Sequence, residues 1–247
     1  MRVATLVTSL GTALLLAAAE GGPAAAHTTV KAQATEGVSD DNALRIGHGC
    51  EEGEFPVIAQ SVVFPADAPE LHASDPNVAI ASLGDVIAPG SLVGLVSAIQ
   101  DRSIFLAQRV KTDALGNVIG FFGTFGRLEL GLTGRMPFQF TAPSFLPESC
   151  AVRLRIALAI ADICKLSKPT LRPDKVNLWI PDNGSIYAVE GAAQGIDGIG
   201  EPAILTVNRN LTTNPLAPAC GAGYELFVTP SAAQIERDLP IPGWGAR

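Results

Sequence analysis

Histidine is scarce in this sequence: three residues in 247, beside two tryptophans, two tyrosines and two methionines. So few aromatic rings leave little for the ring-lined face on which polysaccharides are held. One methionine is Met1, so there is no Met-rich copper motif, and Met136 reads as packing. Positive charge is short as well. Lys and Arg number 17 against 24 Asp and Glu, a net charge of −7. Nucleic acids and anionic membranes demand basic patches, so the charge balance argues against both as partners. No Cys-x-x-Cys pair occurs, which removes a thiolate metal site and a dithiol redox motif. A His-based zinc motif, a phosphate loop and a nucleophile elbow are absent too. Beyond residue 26 no stretch reaches about 18 uninterrupted apolar residues. The nearest, Val86 to Ile99, is broken by Pro89-Gly90.

What is present begins with an export signal. Arg2 supplies a positive start, Val3 to Ala19 an apolar segment, and Ala24-x-Ala26 a small-residue cleavage site. Residues 1–26 are thus expected to be removed, the alternative being an uncleaved anchor, and 27–247 to reach the periplasm, the cell surface or the medium as one domain, without membrane insertion after cleavage. Cys50, Cys150, Cys164 and Cys220 all lie in that part. An even count in an exported chain reads as two disulfides, with three pairings open.

The patterning is that of strands. Val152, Leu154, Ile156, Leu158 and Ile160 alternate with Arg153, Arg155, Ala157 and Ala159, and a period of two means one buried face. Strands are expected also at Thr28–Ala34, Ala43–Gly47, Val57–Phe64, Val78–Ser82, Ile104–Lys111, Val118–Thr124, Arg127–Leu132, Phe138–Ala142, Val176–Ile180, Ile186–Glu190, Ala203–Asn208 and Glu225–Thr229. Turn clusters such as Pro181-Asp182-Asn183-Gly184 separate them. Only Ala88–Asp101 and Pro230–Asp238 read as short helices, and Gly191–Glu201, with four glycines, as a mobile loop. Many short, evenly spaced strands imply an all-β sandwich with long loop insertions.

Cleavage after Ala26 would make His27 the first residue. A terminal histidine offers its α-amino and an imidazole nitrogen to one metal ion. The amino group has a pKa near 8, so a metal displaces its proton readily. Near-planar nitrogen donors suit Cu(II). The alternative is that cleavage falls before a histidine by chance. His48, in "RIGHGCEEGEF", reads either as a cleft residue or as surface loop. His72, in "PELHASDPN", reads first as solvated loop. Glu51, Glu52 and Glu54 would be hard oxygen ligands, though a charge run in a loop is ordinarily just solvated. Trp179 belongs to an alternating strand whose default is core, and Trp244 lies in the tail.

Several fragments together resemble the exported copper-binding YcnI-like domain family: the start "HTTV", then "RIGHGCEEGE" before "PVIAQSVVFP", and later "AIADICKLS…KVNLWIPDNGS". A looser resemblance is to the CorA and MopE group of methanotroph surface proteins, which bind copper through histidines and an oxidised tryptophan. The first resemblance implies an immunoglobulin-like β-sandwich that holds Cu(II) through an N-terminal histidine, a carboxylate and a nearby tryptophan. Carried over, these are His27 and Trp179, with His48 standing where the carboxylate is expected and Glu51 as a further stand-in. The looser one implies His48 and His72 as ligands and Trp179 as the oxidisable residue. The resemblance also implies the pairing Cys50–Cys164, which leaves Cys150 with Cys220.

The leading expectation is a non-enzymatic exported protein that stores, takes up or chaperones copper, as Cu(II) or Cu(I). Trp179 would lie over the open face of the ion, and a copper-trafficking or membrane protein would be donor or acceptor; oligomeric state is left open. One alternative is a copper monooxygenase of the histidine-brace type, built on His27 with His48 or His72. The other is a metal-free adhesion or assembly module.

Overall fold

The computed structural model describes residues 27–31, 33–167 and 171–244. The expected signal segment, 1–26, lies outside the described residues. In chain order the strands are β1 (Thr29–Val30), β2 (Gln33–Thr35), β3 (Ser39–Ile46), β4 (Ala59–Val63), β5 (Glu70–Ala73), β6 (Ile87–Ala88), β7 (Val96–Ala98) and β8 (Phe105–Thr112). They continue with β9 (Val118–Gly126), β10 (Gly134–Thr141), β11 (Ser144–Phe145), β12 (Ala151–Ile163), β13 (Val176–Trp179), β14 (Ala203–Asn208) and β15 (Tyr224–Thr229). Among the described residues, two α-helices, α1 (Ile186–Ala193) and α2 (Ala232–Asp238), and two 3-10 turns, Leu83–Asp85 and Pro218–Cys220, complete the regular structure.

A four-stranded sheet runs β1-β3-β10-β7. A larger one runs β2-β14-β12-β4-β9-β8, with β13 and β15 also paired to β12, and β5 to β15. The two pack face to face. Phe138 of the smaller sheet meets Phe64 and Phe121 of the larger, with ring centres 5.7 and 5.6 Å apart. Leu44, Ile46, Met136 and Phe140 fill the same core from one side, Val62, Leu154, Ile156 and Leu158 from the other. The all-β sandwich is thus as the sequence predicts, and the disulfides Cys50–Cys164 and Cys150–Cys220 pair as the resemblance implies. With cysteines 114 and 70 residues apart, each bridge contributes about 4–5 kcal/mol in a chain-entropy model.

β12 is the organising strand. Its even-numbered residues Leu154 to Ile160 face the main core. On the odd face Arg153 and Arg155 reach solvent and pair with Glu225, but Ala159, Ala161 and Ile163 are fully buried. The alternation ends there because a second core covers that face: Leu178, Ile180, Tyr187, Ala188, Ile235, Leu239 and Trp244, supplied by β13, both helices and the tail.

Five local expectations are corrected. Ile186–Glu190 is the start of α1, not a strand. Ser185 accepts the Ala188 amide at its N-terminus, and Tyr187, Ala188 and Gly191 make one buried stripe on the second core. Ala88–Asp101 forms no helix but the short strands β6 and β7 with their loops. Val78–Ser82 and Arg127–Leu132 are not strands; the latter makes a connection between β9 and β10 whose Leu130 and Leu132 stay 56% exposed. Gly191–Glu201 begins as the end of α1, and its remainder is bonded to β13, as described below.

Helix α2 is held down by a partly buried lysine. Lys111 Nζ donates to the carbonyls of Asp238, Leu239 (3.0 Å) and Pro240 (3.2 Å) and to Ser61 Oγ (2.8 Å). A cation suits the negative end of a helix. Burial nevertheless pushes the Lys111 amine down to about 7 from 10.5, against the charge of Asp238. Between those two values the unfolded chain binds a proton that the folded chain does not, so stability rises with pH across the interval. We expect the urea midpoint to climb from pH 7 to pH 9, and the Lys111→Met variant to lose that climb. An identical climb in the variant would reject the assignment.

Candidate functional site

The even face of β12 should end, after Ile160, in another apolar residue. It ends in Asp162. This side chain is fully buried, opposite Gln60 of β4 and Asn177 of β13. A carboxylate taken out of water must be surrounded by donors, and three are supplied. Gln60 Nε2 donates to one oxygen at 2.6 Å, while Thr28 Oγ1 (2.5 Å) and Trp179 Nε1 (2.7 Å) donate to the other. Burial pushes the Asp162 carboxyl up, and these three donors oppose that rise. The contact from Thr28 ties the N-terminal segment to the sheet, and the contact from Trp179 fixes the indole ring.

Both neighbouring histidines rest on that indole. His27 meets it edge-on with ring centres 4.9 Å apart, His48 likewise at 5.9 Å. Trp179 is fully buried behind them, in keeping with its default as a core residue. His48 is placed by a tight local geometry. A Cβ at Gly49 would fall 1.9 Å from the Phe55 carbonyl oxygen, so only glycine fits there, and Cys50 is bonded to Cys164, two residues past Asp162. His48 Nδ1 lies 2.5 Å from the Gly49 carbonyl oxygen, which also accepts from Asn177 Nδ2 at 3.1 Å. With Nδ1–H donating there, Nε2 faces outward. In metal-binding histidines a backbone carbonyl commonly fixes the tautomer in this way and frees the second nitrogen.

The third wall is the segment after α1. The Leu178 amide donates to the Asp197 carbonyl (2.8 Å) and the Gly200 amide to the Ile180 carbonyl (2.8 Å). Gly198, at φ +94°, sits so close to Trp179 that a Cβ would come within 2.5 Å of the ring. Two carboxylates are thereby aimed at the two histidines. Asp197 Oδ2 is 3.4 Å from His48 Nε2, and Glu201 Oε2 is 3.2 Å from His27 Nδ1. The latter pair lies outside hydrogen-bond geometry, and His27 Nδ1 is shielded from solvent without a hydrogen-bond partner. Asp197, through its bond with His48, raises the His48 pKa above 6.5; the Gly49 carbonyl and the Asp162 charge add to this, and desolvation opposes it. The same bond holds the Asp197 carboxyl below 3.8, with the charges of His48 and His27 helping.

The other expected ligands lie apart. His72 is exposed on β5 opposite Phe227, at the edge of the larger sheet. Glu51 is exposed in the turn between Cys50 and Phe55, with φ +50°. Among the described residues, neither has a hydrogen bond, ion pair or ring contact with the cluster. Met136 is buried core and all four cysteines are bonded, as expected. Among the described residues, no group of three or more His, Cys, Asp or Glu stands ready to hold a metal ion. Sequence reasoning missed Thr28, Asp162, Asp197 and Glu201. For Asp162 a signal existed: a charge at the next position of an apolar period-two ladder.

No family model matches this chain, and no curated protein does. One solved structure, titled an uncharacterized protein from Nocardia farcinica with an immunoglobulin-like fold, is similar to 74% of this chain and 98% of its own, at 14% identity and a TM-score of 0.38.

Two outcomes are expected. Asp162→Ala strands three buried donors and should cost roughly 3 kcal/mol or more of stability, read by urea unfolding; a change under about 1 kcal/mol would contradict the assigned role. A raised histidine pKa stabilises the fold below 6.5, and the gain is lost as pH rises through the folded value. Asp197→Asn should lower the His48 titration midpoint seen by histidine NMR; an unmoved midpoint would refute the pairing.

Proposed function

We propose that the processed chain is an exported copper-binding protein whose ion is taken between His27 and His48, against Trp179. The observation that carries this is the pair of imidazoles set edge-on to one buried indole, each with a carboxylate at its nitrogen. The donor chemistry fits the ion. His48 offers Nε2 because Nδ1 is turned to the Gly49 carbonyl, and His27 Nδ1 is a buried nitrogen without a hydrogen-bond partner. Cleavage after Ala26 would free an α-amino nitrogen beside it. That nitrogen is the donor that would take the described residues beyond the two imidazoles, and it competes for a metal at neutral pH. Nitrogen with carboxylate oxygen suits Cu(II) in a tetragonal arrangement. With both disulfides closed and Met136 in the core, the cluster holds no soft sulfur donor for Cu(I). The bound ion is cargo here: the residues hold, shield and release it, and no reaction is assigned to them.

The two disulfides mark an oxidising compartment; export to the periplasm or cell surface through residues 1–26 is part of the same proposal. The test is Cu(II) titration of the processed protein with spin-resonance detection. One tight site with nitrogen hyperfine structure is expected, and His27→Ala should weaken it by more than about 100-fold, beyond what loss of an outer partner costs. Affinity should fall as pH drops through the raised His48 pKa, since the ion must displace that proton. Affinity unchanged in His27→Ala would overturn the reading and leave the metal-free adhesion or assembly module.

A further inference from the structure

The outer face of the four-stranded sheet carries a second feature, independent of the copper reading. Arg45 of β3 lies directly opposite Arg135 of β10, and Thr29 of β1 lies opposite Arg45. Opposed residues share a face, so a hydroxyl and two guanidinium groups stand in one row, all three exposed. Like charges set opposite each other destabilise a sheet. Several other arginines have acid partners: Arg153 and Arg155 share Glu225, Arg172 meets Asp174, and Arg237 meets Asp67 and Asp238. Among the described residues no carboxylate pairs with Arg45 or Arg135, nor with the nearby Arg127. In a chain of net charge −7, three unpaired guanidinium groups gathered in one place are unexpected.

Two concavities meet on this row. One of 590 Å³ follows β1 and β3, the other, of 760 Å³, runs past Arg127, and Arg45, Asp101 and Arg135 line both. Arg127 is brought there by its amide, which donates to the Ile104 carbonyl at 2.8 Å, and by Leu128 packing on the core. The Asp101 carboxylate is turned to the Ser103 amide at 2.8 Å, while Asp41 and Glu129 each line only one concavity. The acids thus flank a cationic centre that they do not neutralise.

We propose that this trough binds a phosphate-type oxyanion, gripped by Arg45 and Arg135 with Arg127 and the Thr29 hydroxyl as further donors. Guanidinium forks match such oxygens in pairs. A tetrahedral dianion uses donors from several directions, where a lone carboxylate would leave a guanidinium unmatched. The phosphate can be a free anion or a lipid headgroup, the latter with the exposed Leu132, which lines the second concavity, beside it.

The experiment titrates the full chain with inorganic phosphate by calorimetry at low ionic strength, and sediments it with phosphatidylglycerol vesicles against phosphatidylcholine vesicles. Binding to either probe is expected to fall at least about tenfold in Arg135→Gln and in Arg45→Gln, the loss of one charge-assisted pair of bonds. Without phosphate both variants should melt at or above the wild-type temperature, because an unpaired like-charge contact has been removed. Vesicle binding lost in the variants identifies a headgroup as the source, and phosphate binding alone a free anion. Silence of both probes, undiminished binding in both variants, or variants that melt lower than wild type would overturn the proposal.

Discussion

A single carboxylate buried at the end of the central strand organises this molecule's histidine cluster. Asp162 stands where the apolar ladder of β12 should continue, and removing it from water is tolerable only with donors around it. Those donors come from three distant parts of the chain: Thr28 beside the first histidine, Gln60 on β4, and Trp179 on β13. Satisfying one buried charge therefore brings the N-terminal segment onto the sheet and fixes the orientation of the indole. The Cys50–Cys164 bridge adds the His48 turn to the same place, since each of its cysteines lies two residues from a member of the cluster.

The consequence is a layered site. The buried carboxylate lies beneath, the indole above it, two imidazoles against the indole, and two carboxylates beyond them on a segment bonded to β13. Each layer restricts the next. The indole can turn little because Gly198 closes on its ring, and His48 is directed because the Gly49 carbonyl takes its Nδ1 side. Electrostatically the site is poised for a cation, because two carboxylates face the two imidazoles and Asp197 favours a proton on His48. In the proposed function a metal ion replaces that proton, and this ties ion capture to proton release.

Much of the sandwich was legible in the sequence. The period-two run from Val152 to Ile160 announced a one-sided strand, and Ala203–Asn208 and Val118–Thr124 were readable for the same reason. The disulfide pairing came from the resemblance rather than from spacing. What misled were stretches whose fate was decided by distant packing. Ile186–Glu190 has strand-like residues, but the Ser185 cap and the second core make it helical. In the site, His27, His48 and Trp179 were named beforehand, while Asp197 and Glu201 were hidden in a glycine-rich stretch that read as a loose loop. Strand register, the Cys50–Cys164 bridge and the bonds from β13 to Asp197 place residues 27, 48, 162, 179 and 197 together, and all are long-range pairings that one sequence does not display. His72 and Glu51 were singled out by residue type alone, and residue type carries no such placement.

The central claim is that the indole held by Asp162 is the floor of the metal site. It is tested most directly by fluorescence of the processed Trp244→Phe protein, in which Trp179 is the only tryptophan. Paramagnetic Cu(II) captured against that ring should quench its emission in proportion to added metal, ending at one equivalent. Emission that stays unchanged while copper binds, or changes only at large excess, would place the ion elsewhere and contradict the account.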